Sequence, residues 1–413
     1  MPTTCQSLEA ISRTAVRRLD ELAALTDSPG IISRSLLSKA NFRAAATILD
    51  WWNSFGLETA HTPDGSVRGI LPGSNPSAKP LLIGSHFDSV IDAGKFDGPL
   101  GIVSALAALE FLAQENITLP FPVHLLGFSD EEGVRFQTTY LGSRSIVGTL
   151  DPGTLSATDE SGQSLAHTLA TEGWHSGATP ICYQKGETRG YLELHIEQGR
   201  VLQDLGQPAC AVSTIVGQSR FRISLHGQAD HAGTTPMPLR RDALAGAAAC
   251  IVKAEAIAES DPDAVLTVGK LTLQPGASNV IAGETTFSLD LRHPDDSERE
   301  KIKAQTLQAF EEIASQRDLG IDWQCLLDSN ATPCDSDLTT PILDAVQSQT
   351  GQRLLLPSGA GHDGVALAPI MPIAMIFVRC RDGISHHPKE HATSADIQTG
   401  IKILADTLQN LTT

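Results

Sequence analysis

Four short, contiguous apolar runs bounded by turn residues constrain this chain more than any other feature. They are "PLLIGSH" at 80–86, "PVHLLGFS" at 122–129, "GYLELHI" at 190–196 and "PIAMIFVRC" at 372–380. Runs of this length without polar alternation read as strands buried on both faces. Between the first two lies "GPLGIVSALAALEFLAQEN", whose apolar spacing and alanine content predict a helix. Strand, helix, strand is the repeating unit of an α/β sheet, so an α/β fold is expected. At 413 residues the chain exceeds one ordinary core, and two domains are expected.

From about 213 to 329 the pattern changes. "SRFRISLHG" alternates like a half-exposed antiparallel strand, as do "AVLTVGKLTLQ" and "TTFSLDLRH". "RRDALAGAAACIVKAEAIAES" and "SEREKIKAQTLQAFEEIASQ" read as helices, and "GIDWQCLL" as a closing strand. This order predicts a compact α+β domain, 213–329, inserted into a discontinuous α/β domain formed by 1–212 and 330–413.

The formal charge of -18 and pI of about 5.1 argue against nucleic acid or an anionic membrane as partner, since either needs a basic face. A small anionic substrate stays possible, because a pocket can be locally positive on an acidic protein. The seven cysteines, at 5, 182, 210, 250, 325, 334 and 380, are scattered, odd in number and form no CxxC pair. Free thiols in a reducing compartment are expected. The amino-terminal stretch carries charges throughout and reads as an amphipathic helix rather than a signal peptide. No apolar run approaches the roughly 20 residues of a membrane span. A cytoplasmic location is expected.

Each buried run delivers metal-binding residue types at its end. The first leads to His86, Asp88 and Asp97, and the second to Asp130, Glu131 and Glu132. The third leads to His195, Glu197 and Gln198, and the fourth to His386, His387 and His391. In open α/β sheets, ligands bind beyond the carboxyl ends of the strands. Singly, each cluster has a plainer reading: adjacent acids as a solvated turn, a strand histidine as a core residue, a histidine pair as an exposed loop. Four such clusters on one sheet edge point jointly to a metal site. Imidazole and carboxylate together suit zinc or manganese. Two ions about 3.5–4 Å apart, bridged by a carboxylate, would hold a hydroxide between them.

The motifs "GSHFDSVIDAGKFDGPLG", "FSDEEGVRFQ", "LGS", "HIEQG", "DHAGTTPM", "SNVI", "SGAGHDG" and "GISHHPKE" span nearly the whole chain. Together they resemble the M20-type metal-dependent amidohydrolases, in the branch holding N-carbamoyl-L-amino acid hydrolases, β-ureidopropionases and allantoate amidohydrolases. Peptidase relatives differ at the HAGTTPM and GAGHD positions, so the resemblance favours an amidohydrolase.

By that resemblance the fold is a mixed-sheet, di-metal catalytic domain carrying an inserted lid and dimerisation domain, and the protein a homodimer. His86, Asp97, Glu132, His195 and His386 are implied as ligands to two divalent ions, manganese or zinc, with Asp97 bridging. Glu131 is implied as general base and Asp88 as the partner that orients a ligand histidine. His231, Asn279 and Arg292 of the inserted domain, with Gln198 and the backbone at Gly361, are implied to line the substrate pocket. His231 would also stabilise the oxyanion, and Arg292 would grip a substrate carboxylate.

His362 and Asp363 remain open, with Asp363 as a helix cap the favoured alternative. "FSDEEGVRFQTTYLGS", "CDSDL", "LPSGAGHDG" and "VRCRDGISHHPKEH" look most like plant-type allantoate amidohydrolases. The implied substrate is therefore a small carboxylated ureido compound, allantoate, with an N-carbamoyl-L-amino acid as the alternative. A non-catalytic binding protein on this scaffold would be expected to have lost a ligand or the base, and all six positions are present.

Overall fold

All four buried runs form strands at the centre of a nine-stranded mixed sheet in the computed structural model, which describes residues 7–411. Cys5 and the first residues of the amino-terminal segment lie outside the described residues; from Leu8 to Ala23 that segment is a helix, as expected. The chain divides into two compact units, one running to Ser213 and resuming at Pro333, the other Thr214–Thr332.

In chain order the strands are β1 (Glu58–His61), β2 (Val67–Leu71), β3 (Leu81–His86), β4 (Val123–Phe128), β5 (Gly190–Ile196), β6 (Ala209–Ile215), β7 (Gly217–His226), β8 (Val265–Thr267), β9 (Leu271–Gln274), β10 (Glu284–His293), β11 (Gly320–Ser329), β12 (Thr332–Pro333), β13 (Leu355–Ser358) and β14 (Ile373–Val378). The larger sheet runs β1-β2-β4-β3-β5-β14-β6-β12, with β13 beside β6. Its inner four, β4, β3, β5 and β14, are parallel, so their carboxyl ends share one edge. β3, β5 and β14 are buried along their whole length, which is why their sequences carry no alternation.

The helix Pro99–Gln114 links β3 to β4, and its apolar residues run all round because it is buried almost all round. Gly98 starts it with φ +81, and a Cβ there would stand 2.4 Å from the His86 ring. A side chain at this position would carry both backbone strain and a clash, so the turn after Asp97 requires glycine.

The second unit is an antiparallel sheet, β11-β7-β10-β8 with β9 also on β10. Along β10 burial alternates. Phe287 and Leu289 point into a core shared with Phe310 of the helix Asp296–Gln316, Leu291 is buried on the same face, and Asp290 and Arg292 lie on the opposite face. "AVLTVGKLTLQ" reads as one strand and folds as two. The Gly269 and Lys270 amides leave the ladder and donate to the Ser288 hydroxyl, which interrupts pairing on β10 between β8 and β9. Among the described residues no helix is long and apolar enough to cross a membrane.

Candidate functional site

Beyond the carboxyl ends of the four parallel strands, three imidazoles converge on one carboxylate. Asp97 Oδ1 lies 3.4 Å from His86 Nε2 and 3.2 Å from His195 Nε2. Its other oxygen, Oδ2, lies 3.3 Å from His386 Nε2, and that nitrogen is also 3.3 Å from Glu132 Oε1. Two clusters able to hold an ion therefore share Asp97: His86, Asp97 and His195 form one, and Asp97, Glu132 and His386 the other. The donors are imidazole nitrogen and carboxylate oxygen, the mixture that suits zinc or manganese. The residues fit the two-ion group that the motifs imply.

Neighbouring groups orient these rings. His195 Nδ1 is 2.9 Å from the Ile196 carbonyl, which turns Nε2 toward Asp97, with the Gly98 amide 3.2 Å from that nitrogen. His86 Nδ1 lies 3.2 Å from Asp88 Oδ1. Asp88 does more than the sequence suggests: it accepts from the backbone amides of Glu131 at 3.0 Å and Glu132 at 3.2 Å. One buried carboxylate thus ties a histidine of the first strand end to the acids of the second.

The field inside this cluster favours positive charge. Burial opposes ionisation of Asp97, yet hydrogen bonds from His195, His386 and His86 hold its carboxyl well below the usual range. Burial also opposes a charged His86, but Asp88 and Asp97 hold it well above its ordinary value. His386 is pushed up to about 10 by its contacts with Asp97 and Glu132. Protons and divalent ions compete for these same lone pairs. Glu131, buried and not a solvated turn, is held well above the usual carboxylate range by burial, with His86 opposing and Glu132, Asp363 and Asp88 adding to it. A carboxyl raised in this way holds a proton more readily than an ordinary surface carboxylate, as a group that takes and returns one requires.

Other strand-end residues go elsewhere. Glu197 accepts from the Val201 and Leu202 amides at 2.7 and 3.1 Å, serving the backbone. His387 Nδ1 accepts from the Lys389 amide, and His391 packs edge-on against Phe96. Asp363 stands at the start of the short helix Gly364–Leu367 but its side chain makes no capping bond. Its backbone is already helical, at φ -53 and ψ -27, instead of the extended shape from which a capping side chain reaches forward. The cap expectation is therefore corrected. His362 is buried, with Nε2 2.8 Å from Ser358 Oγ, and burial holds it well below its ordinary value.

The remaining expected pocket residues fall in both units. Gln198, at φ +57, donates from Nε2 to Asp97 Oδ2 at 2.7 Å. A Cβ at Gly361 would lie 1.9 Å from the Tyr140 hydroxyl, so a side chain there would have to displace that phenol. Tyr140 itself sits at φ +63, and its amide donates to the Glu131 carbonyl at 3.0 Å. Sequence reasoning passed over Tyr140, Ser385 and Glu390. The last two lie inside the quoted "GISHHPKE" motif, and only their spatial partners reveal what they do.

In the second unit His231 and Asn279 occupy two adjoining loops: His231 bridges Val280, and the Ala232 amide donates to the Asn279 carbonyl at 3.0 Å. His231 Nδ1 accepts from the Gly233 amide at 3.0 Å, which leaves the proton of a neutral ring on Nε2, free to be donated outward. Arg292 holds Asp290 with Nε at 2.9 Å and Nη2 at 3.1 Å, and Arg220 grips the same carboxylate from the facing strand at 2.7 Å.

Residues 76–410 match peptidase family M20/M25/M40. Allantoate deiminase 2 of Glycine max is 37% identical over 96% of this chain and 89% of its own. N-carbamoyl-L-amino acid amidohydrolase of Geobacillus stearothermophilus is 38% identical over 96% of this chain and 97% of its own. The crystal structure of a hydantoinase/carbamoylase family amidase from Burkholderia ambifaria superposes with a TM-score of 0.89 at 29% identity, over 97% of both chains.

Proposed function

The chain belongs to peptidase family M20/M25/M40, and from that premise we propose that it is a metal-dependent amidohydrolase. It cleaves the ureido C–N bond of allantoate, releasing ureidoglycine, ammonia and carbon dioxide. The observation that carries the chemistry is Asp97, shared between two candidate ion clusters with the buried Glu131 beside them. Support for the substrate comes from the likeness to allantoate deiminases along nearly the whole chain.

His86, His195 and Asp97 would hold one ion, and Asp97, Glu132 and His386 the other, manganese or zinc in both. When bound, such ions acidify water and polarise a carbonyl oxygen. Glu131 takes a proton from the attacking water and returns it to the departing nitrogen, base turned acid. His231 donates from Nε2 to the oxyanion. Arg292 receives the substrate carboxylate with its guanidinium, held in plane by Asp290. Gln198, Asn279 and the backbone at Gly361 orient the ureido arm. Ammonia leaves, and the carbamate that remains loses carbon dioxide.

The second unit, in this proposal, serves as lid and as dimer contact. Its edge strand β11 exposes Trp323, Leu326 and Leu327, apolar side chains that a second copy would cover. Sedimentation velocity of the purified chain tests this, with a monomer refuting it. A cytoplasmic location belongs to the same proposal, supported by the free cysteines among the described residues.

Ammonia release from allantoate, measured beside N-carbamoyl-L-amino acids at equal concentration, tests the substrate. The second reading, an N-carbamoyl-L-amino acid hydrolase with the same site, is favoured by the likeness to the Geobacillus enzyme. Release from carbamoyl amino acids alone would establish it and displace allantoate.

A further inference from the structure

Two side chains beside the candidate centre have no part in the chemistry above. Glu390 is 5% exposed and reaches Asp97 twice, at its amide directly and at its carboxylate through Ser385. One of its oxygens, Oε1, accepts from the amides of Phe96 at 2.9 Å and Asp97 at 3.1 Å. The other, Oε2, lies 3.0 Å from Ser385 Oγ, and that hydroxyl lies 2.6 Å from Asp97 Oδ2. A Cβ at Gly94 would stand 2.3 Å from Glu390 Cβ, so the loop before Asp97 passes close enough for these contacts only because residue 94 is glycine.

From this geometry we propose that Glu390 is a positioning residue that sets the direction of the Asp97 carboxylate, acting on its backbone directly and on Oδ2 through Ser385. The proposal rests on the two-ion reading of the site. An aspartate side chain has two soft torsions. Fixing its amide at one end and one carboxylate oxygen at the other leaves those torsions little freedom. Because Oδ1 faces His86 and His195 while Oδ2 faces His386, the orientation decides whether both clusters are assembled at once. The clamp joins the loop after β3 to the loop after β14, segments 293 residues apart in sequence.

The two members of the clamp should have separable effects. Of the two Asp97 oxygens, Ser385 meets Oδ2, on the side of Glu132 and His386, and it also lies 3.4 Å from Gln198 Nε2. Glu390 also holds the backbone that carries both oxygens. The test is calorimetric titration of the chelated full-length protein with Mn2+, alongside thermal melting of the ion-free protein. Wild type is expected to show two binding events. Ser385→Ala should weaken one of them about 10-fold and leave the other within about threefold, whereas Glu390→Ala should weaken both by about 10–100-fold. Glu390→Gln keeps an oxygen for the two amides and a polar group against Ser385, so it should recover most of the affinity. A simple loss of packing would instead lower the ion-free melting temperature with no such split.

Both events unchanged in Glu390→Ala, or weakened equally in Ser385→Ala, would overturn the clamp. If Glu390→Ala does not fold, the other two variants decide: Glu390→Gln with both ions lost overturns it as well. A wild-type protein that binds neither Mn2+ nor Zn2+ in the same titration would instead overturn the two-ion reading itself, and the clamp with it.

Discussion

Replacing Asp88 by Asn tests how the site is held together, because the change keeps size and shape and alters only which atoms accept. Asp88 is 1% exposed, and its two oxygens accept from the amides of Glu131 and Glu132 while Oδ1 also faces His86 Nδ1. An asparagine offers one oxygen, so its amide nitrogen must point at one of the two N–H donors. A hydrogen bond to a charged acceptor contributes about 1.5–3 kcal/mol, and a stranded buried N–H costs about 1–3 kcal/mol. Together these come to about 2.5–6 kcal/mol, enough to shift the backbone that carries Glu131 and Glu132. Movement displaces the carboxyls of Glu131 and of the candidate ligand Glu132 together. We expect Mn2+ affinity to fall about 10–100-fold and kcat at saturating metal to fall at least about 100-fold. Ammonia-release kinetics and calorimetry on the same preparations measure both. A kcat within threefold of wild type with unchanged Mn2+ affinity would refute the role assigned to Asp88.

Three further outcomes follow from the same geometry. Glu131→Gln should retain two bound ions and lose turnover by about 10²–10⁴-fold; near wild-type kcat would remove Glu131 as the base. Arg292→Ala should raise KM for carboxylated ureido substrates and leave uncharged ureido compounds nearly unaffected, so equal losses on both would dismiss the carboxylate anchor. Gly361→Ala forces a methyl within 1.9 Å of the Tyr140 hydroxyl, an overpacking that costs about 1–3 kcal/mol; a melting temperature and kcat equal to wild type would show that the phenol moves aside freely.

Much of the architecture was legible because burial writes itself into composition. The runs that became β3, β5 and β14 lack polar alternation because both faces are covered, and the alternation of "TTFSLDLRH" matches the one-sided burial of β10. Candidate ligands were legible for a related reason: a buried strand delivers whatever follows it to the sheet edge. Delivery does not fix direction, however. Glu197 and His391 also follow buried strands, yet one turns to backbone amides and the other to a phenylalanine ring. Asp363 looked like a cap because of its place before a short helix, and the helical torsions that prevent capping leave no trace in residue type. The second task of Asp88 and the contacts of Glu390 with the Phe96 and Asp97 amides join distant segments, so no local pattern announces them.

The most direct test of the account is the number of ions bound and its dependence on Asp97. Mn2+ bound per chain, counted by elemental analysis after chelation and reconstitution, should be two for wild type. It should fall to one or none for Asp97→Ala, with activity lost in parallel. Two ions retained in Asp97→Ala, or a single ion in a fully active wild-type protein, would contradict the claim that one carboxylate organises a two-ion centre.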